Sequence, residues 1–266
     1  MARRRLDAEL VRRGLARSRH QAQELVASGR VRVSGLPAAK PATQVDPAVA
    51  IVVDTADVSA FVSRGAHKLV GAMAVFRPAG LVVAGRRCLD AGASTGGFTQ
   101  VLLAEGAASV LAVDVGYGQL AWSLRSDPRV TALDRTNVRT LRPEQVGEPA
   151  ELVVADLSFI SLRLVMPALA SVAVPDADFV LMVKPQFEVG RERLGPGGVV
   201  KDPSLRAESV RRIAERAAEL GLGVRGVTAS PLPGPAGNVE YFVWLQAGAP
   251  APDPEAIARA VSEGPE

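Results

Sequence analysis

Apolar positions divide the chain into two differently patterned stretches. Between Leu6 and Val53 they recur in short pieces. Leu6 to Val11 predicts a short helix ending near Gly14, and Ala22, Leu25 and Val26 form the stripe of a second helix. Ser18 with Gln21 is a capping-box pattern at the start of that helix, and Gly29 stands where its C-terminal cap belongs. Val31 and Val33 alternate, Ser34-Gly35 marks a turn, and Ala50 to Val53 is a β-like run. After a connector over 54–63 the pieces lengthen. Gly65 to Phe76 predicts a helix with Leu69, Ala72, Met73 and Phe76 on one stripe and Lys68 beside it. Strands then follow over Cys88–Ala91, Val110–Asp114, Val130–Leu133, Leu152–Asp156 and Phe179–Val183. A helix opened by Asp202 and Pro203 stops at Gly221, and two last strands cover Val224–Ala229 and Tyr241–Leu245.

Alternating β and α segments predict an α/β fold, a Rossmann-like, doubly wound parallel sheet closed by a hairpin into seven strands. The short N-terminal pieces predict a separate small α+β domain. The expected organisation is 1–60, then a body over 64–246, then a Pro-rich acidic tail over 247–266 carrying a short helix.

Charge sharpens that division. Residues 1–40 hold ten Lys/Arg against Asp7, Glu9 and Glu24, a net of +7 within a chain whose total is +3. A basic head on a mildly acidic body suggests a polyanionic partner for the head, although a solvated basic face has the same charge. Arg4, Arg12, Arg17, Arg19, Arg30 and Arg32 are the candidate contacts, because guanidinium groups suit phosphates and the shape of structured RNA. One cysteine, Cys88, within an apolar strand, predicts a buried thiol and a reducing compartment such as the cytoplasm. Two histidines and one cysteine leave almost no ligands for zinc, and no metal is expected. The longest charge-free apolar run, Leu164 to Pro175, is interrupted by Pro167 and falls short of the roughly 18 residues a spanning helix needs. No membrane association is expected, and the chain is expected to be a monomer.

Three strand ends carry candidate binding chemistry. After the first comes Asp90-Ala91-Gly92-Ala93-Ser94-Thr95-Gly96-Gly97-Phe98, which is neither G-x-G-x-x-G nor a P-loop. Glycines there let a ligand approach the backbone, and the next helix offers free N–H groups; steric need alone would also place glycine there. Asp114 stands where a carboxylate accepts ribose hydroxyls, or where it caps a helix. Asn137, after the third strand, is placed to read an adenine edge. Together these turns predict an adenosine site at the carboxyl edge of the sheet.

Only four of the 31 basic residues are lysines: Lys40, Lys68, Lys184 and Lys201. Lys184 ends an apolar strand, where burying an ammonium is costly. Asp156 ends the neighbouring strand, so the two should meet at the crevice where such sheets bind ligands. Lys68 and Glu240 could extend them to a Lys-Asp-Lys-Glu group, either catalytic or a structural ion-pair network.

The N-terminal order Leu6-Asp7, Gly14, Ser18-Arg19, Ala22, Gly29-Arg30-Val31-Arg32-Val33, Gly35, Lys40-Pro41 resembles the S4 RNA-binding domain. Over nearly its whole length the chain resembles the TlyA-type (hemolysin A-like) ribosomal RNA 2′-O-methyltransferases, whose S4 domain precedes an FtsJ-like catalytic domain. The motifs that carry this are Ser63 to Leu69, Asp90 to Phe98, Asp114 to Leu120, Arg135 to Arg139, Asp156 to Ser161, Lys184 to Glu188 and Gly237 to Tyr241. The resemblance implies an S-adenosyl-L-methionine-dependent methyltransferase acting on cytidine ribose in large-subunit and, in some members, small-subunit ribosomal RNA. It implies that Lys68, Asp156, Lys184 and Glu240 form the catalytic group. Cofactor contacts are expected from Gly92, Ser94, Gly96, Gly97, Phe98, Asp114, Asn137 and Asp156. One position departs from the pattern: an FtsJ-like turn carries an acid where Asn137 stands. The older family name suggests haemolytic activity, for which no spanning segment is present.

Overall fold

The computed structural model describes residues 3–16, 18–27, 29–53 and 61–265. Arg17, one of the candidate RNA contacts, lies outside them. The chain separates into two compact units, 1–60 and 61–266.

In the first unit, helices Leu6–Arg12 and Arg19–Ala27 pack with a three-stranded antiparallel sheet, Leu36–Pro37 beside Val31–Val33 beside Ile51–Val53. Ser34 and Gly35 both adopt positive φ, as a two-residue hairpin between Val33 and Leu36 requires. Ser18 Oγ accepts the Gln21 N–H at 3.2 Å, so the expected N-terminal cap is present. Leu6, Leu10, Ala22, Val26 and Val31 form the small core. The pairing of Arg4–Arg5 with Gln44–Val45 was not readable in the sequence, because two-residue strands have no period.

The second unit is a seven-stranded sheet. Its strands are β1 (Arg87–Ala91), β2 (Ser109–Val113), β3 (Val130–Leu133), β4 (Ala150–Ala155), β5 (Ala173–Val183), β6 (Leu222–Ala229) and β7 (Tyr241–Ala247), in the spatial order 3-2-1-4-5-7-6. Strands 1 to 5 are parallel, and β7 lies antiparallel between β5 and β6. The central strands are buried on both faces, so they read as continuous apolar runs rather than alternating ones. On one face lie α1 (Gly65–Phe76) and α2 (Gly97–Ala104), through Leu69, Met73, Phe76 and Leu102. On the other lie α3 (Leu162–Ser171), α4 (Pro203–Glu219) and α5 (Pro254–Ser262), through Val165, Leu169, Val210, Ile213 and Ile257. Asp202 caps α4 as expected, accepting the Ser204 N–H at 2.8 Å. The tail helix α5 is capped by Asp253 and buries Ile257 and Ala260 against this layer. Pro167 sits inside α3 and leaves the Arg163 carbonyl without its helical donor; the Arg216 guanidinium approaches that oxygen at 3.4 Å. Among the described residues no helix is long and apolar enough to cross a membrane.

Candidate functional site

Parallel strands end together at one edge, and the register fixes which residues meet there. Ala91 pairs with Ala155, so the turns after β1 and β4 are adjacent, and Asp156 donates its N–H to the Ala91 carbonyl at 3.1 Å. Gly92, Ser94 and Gly96 all take positive φ. The glycines answer to packing: a Cβ on Gly92 would meet the Asp156 carbonyl at 2.7 Å, one on Gly96 the Leu120 side chain at 2.7 Å, and one on Gly97 the Ala66 nitrogen at 2.9 Å. The steric reading of this turn therefore holds, and the tight turn it permits is what exposes backbone groups at the rim. Phe98 stands in the first turn of α2. Its ring is buried against Phe242, with centroids 6.0 Å apart, so its side chain is core and a ligand could meet only its main chain.

Asp114 follows β2. Its Oδ2 accepts the Ser94 N–H at 2.8 Å and its Oδ1 the Gly116 N–H at 2.7 Å. It is a clamp between two turns rather than a helix cap, and each oxygen keeps a lone pair for a further donor. Asn137 caps a 3₁₀ turn, its Oδ1 accepting the Arg139 N–H at 3.0 Å, which leaves its Nδ2 donors outward on an exposed residue. Nearby, the Arg135 guanidinium lies 4.3 Å from the centre of the exposed Tyr117 ring.

The charged group is assembled as expected. Lys184, 8% exposed, brings Nζ to 2.5 Å from Asp156 Oδ1. That contact is off the hydrogen-bond direction, and Nζ donates instead to Ser158 Oγ at 2.9 Å. Lys68, 5% exposed on α1, donates to Glu240 Oε2 at 2.5 Å. Val183 pairs with Tyr241, so Lys184 and Glu240 are the next residues outward on neighbouring strands. The two ion pairs thus stand side by side, and Glu240 Oε1 is buried without a hydrogen-bond donor. Asn238 holds this corner: its Oδ1 accepts the Val200 N–H at 2.9 Å and its Nδ2 donates to the Gly198 carbonyl at 3.0 Å.

Sequence reasoning passed over three residues here. Asp90 is fully buried, with Oδ2 accepting from Thr99 Oγ1 at 2.7 Å and Oδ1 unpartnered. Burial pushes its carboxyl up to about 7, and the negative charges of Asp156 and Asp114 add to the rise. Its place at the end of an apolar strand was the available signal. Phe159 is 91% exposed at φ 64°, leaning on Phe187 with ring centroids 5.4 Å apart. Glu188, at the end of the Lys184-to-Glu188 motif, is buried. Cys88 is a buried thiol pushed up to about 12 by burial, so it is no nucleophile at neutral pH. Among the described residues no group of three or more His, Cys, Asp or Glu is placed to hold a metal ion.

In the first unit the arginines divide. Asp7, fully buried, accepts from Arg5 and Arg19, and Glu9 accepts from Arg12 and Arg13. The Arg5 and Arg12 hydrogen bonds hold these two carboxyls well below the usual range. Arg12 and Arg19 are therefore pinned structural partners as well as surface cations, with about half of each side chain exposed. Arg4 and Arg32 are exposed on strands, and Arg30 immediately precedes the Val31–Val33 strand.

A seven-stranded sheet of this order, with a glycine turn after its first strand and an acid after its second, is the architecture of the S-adenosylmethionine-dependent methyltransferases. Residues 61–247 match the FtsJ-like methyltransferase family and residues 4–51 the S4 domain. The 16S/23S rRNA (cytidine-2′-O)-methyltransferase TlyA of Mycobacterium tuberculosis is 64% identical over 271 residues, covering all of both chains. The 23S rRNA (cytidine-2′-O)-methyltransferase TlyA of Campylobacter jejuni is 36% identical over 69% of this chain and 70% of its own. A solved Streptococcus thermophilus protein provisionally named a hemolysin superposes with a TM-score of 0.78 at 37% identity, covering 99% of this chain and 96% of that one. The chain belongs to the TlyA family of FtsJ-like methyltransferases.

Proposed function

We propose that this chain transfers a methyl group from S-adenosyl-L-methionine to the 2′-hydroxyl of a cytidine in large-subunit ribosomal RNA, and in small-subunit RNA as well. The observation that carries this reading is the Lys184–Asp156 pair beside the Lys68–Glu240 pair at the carboxyl edge of the sheet. The printed activities of the TlyA relatives support the substrate.

The turns suit the cofactor. Asp114 has lone pairs left for a ribose diol, and Asn137 Nδ2 can face an adenine edge. Gly92, Ser94, Gly96 and Gly97 shape the turn against which it would lie, with the Phe98 main chain at its end. When bound, the cofactor supplies a methyl group activated by a sulfonium.

A ribose hydroxyl is a weak nucleophile and loses its proton as it attacks. Lys184 Nζ is the group that takes that proton, and Asp156 Oδ1, at contact distance, stabilises the positive charge on it. Ser158 Oγ accepts one N–H and so anchors the Lys184 side chain beside Asp156. Lys68 and Glu240 hold the neighbouring charge pattern and orient the attacking sugar. Positioning both reactants in line contributes alongside proton transfer. Phe159 offers an open aromatic face on which a base can stack.

RNA binding falls to residues 1–60, through Arg4, Arg12, Arg17, Arg19, Arg30 and Arg32, and catalysis to 64–246, with 247–266 an added tail. The enzyme works as a monomer in the cytoplasm. Purified protein incubated with labelled cofactor and either ribosomal subunit tests this, with nucleosides separated by mass spectrometry. The expected product is 2′-O-methylcytidine from both subunits. Base-methylated nucleosides, or no transfer, would overturn the reading; transfer to one subunit alone would narrow it.

A further inference from the structure

Glu188 is buried, and the chemistry above makes no use of it. Burial pushes its carboxyl up, and hydrogen bonds to its oxygens pull it back. Both donors belong to another segment: Ser161 Oγ–H donates to Oε2 at 2.6 Å, and the Leu162 N–H donates to Oε1 at 2.8 Å. Arg163 lies further off, at 3.8 Å. These groups open α3, the helix that follows the loop from Asp156.

Segments 156–162 and 184–188 are therefore fastened at both ends. Lys184 meets Asp156 and Ser158 at one end, and Glu188 meets Ser161 and Leu162 at the other. Between these anchors Phe159 rests on Phe187. The backbone there is strained, since a bulky residue at φ 64° is disfavoured and persists only when its surroundings enforce it. Asp156 is fixed by its bond to β1, so the shape of residues 157–160 depends on the second anchor.

We propose that Glu188 is a positioning residue for methyl transfer. It holds the strained loop in the form that presents Ser158 Oγ to Lys184 Nζ and the Phe159 ring to the RNA, and it touches no reactant itself. This rests on the reading of Lys184 as the proton acceptor.

The test compares Glu188→Ala, Glu188→Gln and Ser161→Ala in the full chain, reading kcat, KM for the cofactor and amide hydrogen exchange over 157–162. Glutamine keeps an oxygen for the Leu162 N–H and can donate to Ser161 Oγ. Displacing a positioned group costs about tenfold to a hundredfold in rate, so Glu188→Ala should lose that much kcat while the cofactor KM stays within about twofold. Exchange over 157–162 should accelerate in step, Ser161→Ala should fall between, and Glu188→Gln should recover most of the turnover. Wild-type kcat or unchanged exchange in Glu188→Ala overturns the proposal, as does a glutamine variant as damaged as the alanine one. Should Glu188→Ala not fold, the Ser161→Ala and Glu188→Gln pair decides by the same readouts. Lys184→Ala is the control: turnover surviving there sinks the base assignment, while the exchange measurement still judges the anchor.

Discussion

Strand β5 carries a buried charge at each end of its paired stretch, and the two are treated differently. Asp178, where regular pairing with β4 begins, has both oxygens engaged: one by Arg86, the other by Trp244 Nε1 at 2.6 Å. Lys184, just past the other end, touches Asp156 off the hydrogen-bond direction, and its neighbour Glu240 leaves an oxygen without a donor. Buried polar groups are normally satisfied, so the first arrangement is what a structural network looks like. The incomplete one at the edge where the strands' loops gather is what a group awaiting a reactant looks like. Satisfaction of hydrogen bonds, rather than burial or charge, separates the two.

The largest effect that would break this contrast is at Lys184. General-base catalysis is worth about 10² to 10⁴-fold, so Lys184→Ala and Lys184→Arg should both lose that much kcat while cofactor affinity by calorimetry stays near wild type. Wild-type turnover by the arginine variant would place Lys184 with Asp178 among structural charges. At the other end, Asp178→Ala strands a partly buried guanidinium and should cost about 3 kcal/mol in denaturant unfolding, with kcat per folded molecule unchanged. A milder effect is expected at Phe159. Losing one base-stacking contact of about 1–3 kcal/mol should raise KM for RNA about tenfold in Phe159→Ala, and the melting temperature should hold because the ring is exposed.

Asp90 is read through pH rather than through turnover. An unfolded aspartate loses its proton near 3.8, whereas burial holds this one to about 7. Between those values the folded state binds more protons than the unfolded state, so stability falls as pH rises. Asp90→Asn does not titrate, so its melting temperature relative to wild type should climb by roughly ten degrees between about pH 4 and pH 8. A constant difference across that range would mean that Asp90 is ionised throughout.

Much of this was readable in the chain. The strands announced themselves because both faces are covered, and Lys184 stood out as a cation ending an apolar run. The meeting of Asp156 with Lys184 followed from parallel topology alone. What was hidden depends on tertiary partners. Periodicity could not show that the Phe98 ring turns inward onto Phe242, or that Asp7 and Glu9 pin four of the N-terminal arginines. Nor could it show that Phe159 faces outward, since an aromatic beside apolar residues reads as core. Spacing allowed either room for a ligand or steric need at glycines 92, 96 and 97, and the neighbours that impose the steric need, Asp156, Leu120 and Ala66, appear only in the fold.

The placement of β7 between β5 and β6 makes it the strand on which the far edge of the sheet depends. A nascent chain can lay down strands 1 to 5 as it emerges, but β6 has no neighbour in the sheet until the later β7 slots in beside β5. Glu240 arrives with that same insertion, so a half-folded molecule holds Lys68 and Lys184 with one of their acids missing. Closing the sheet and joining Lys68 to its acid are thereby one and the same step.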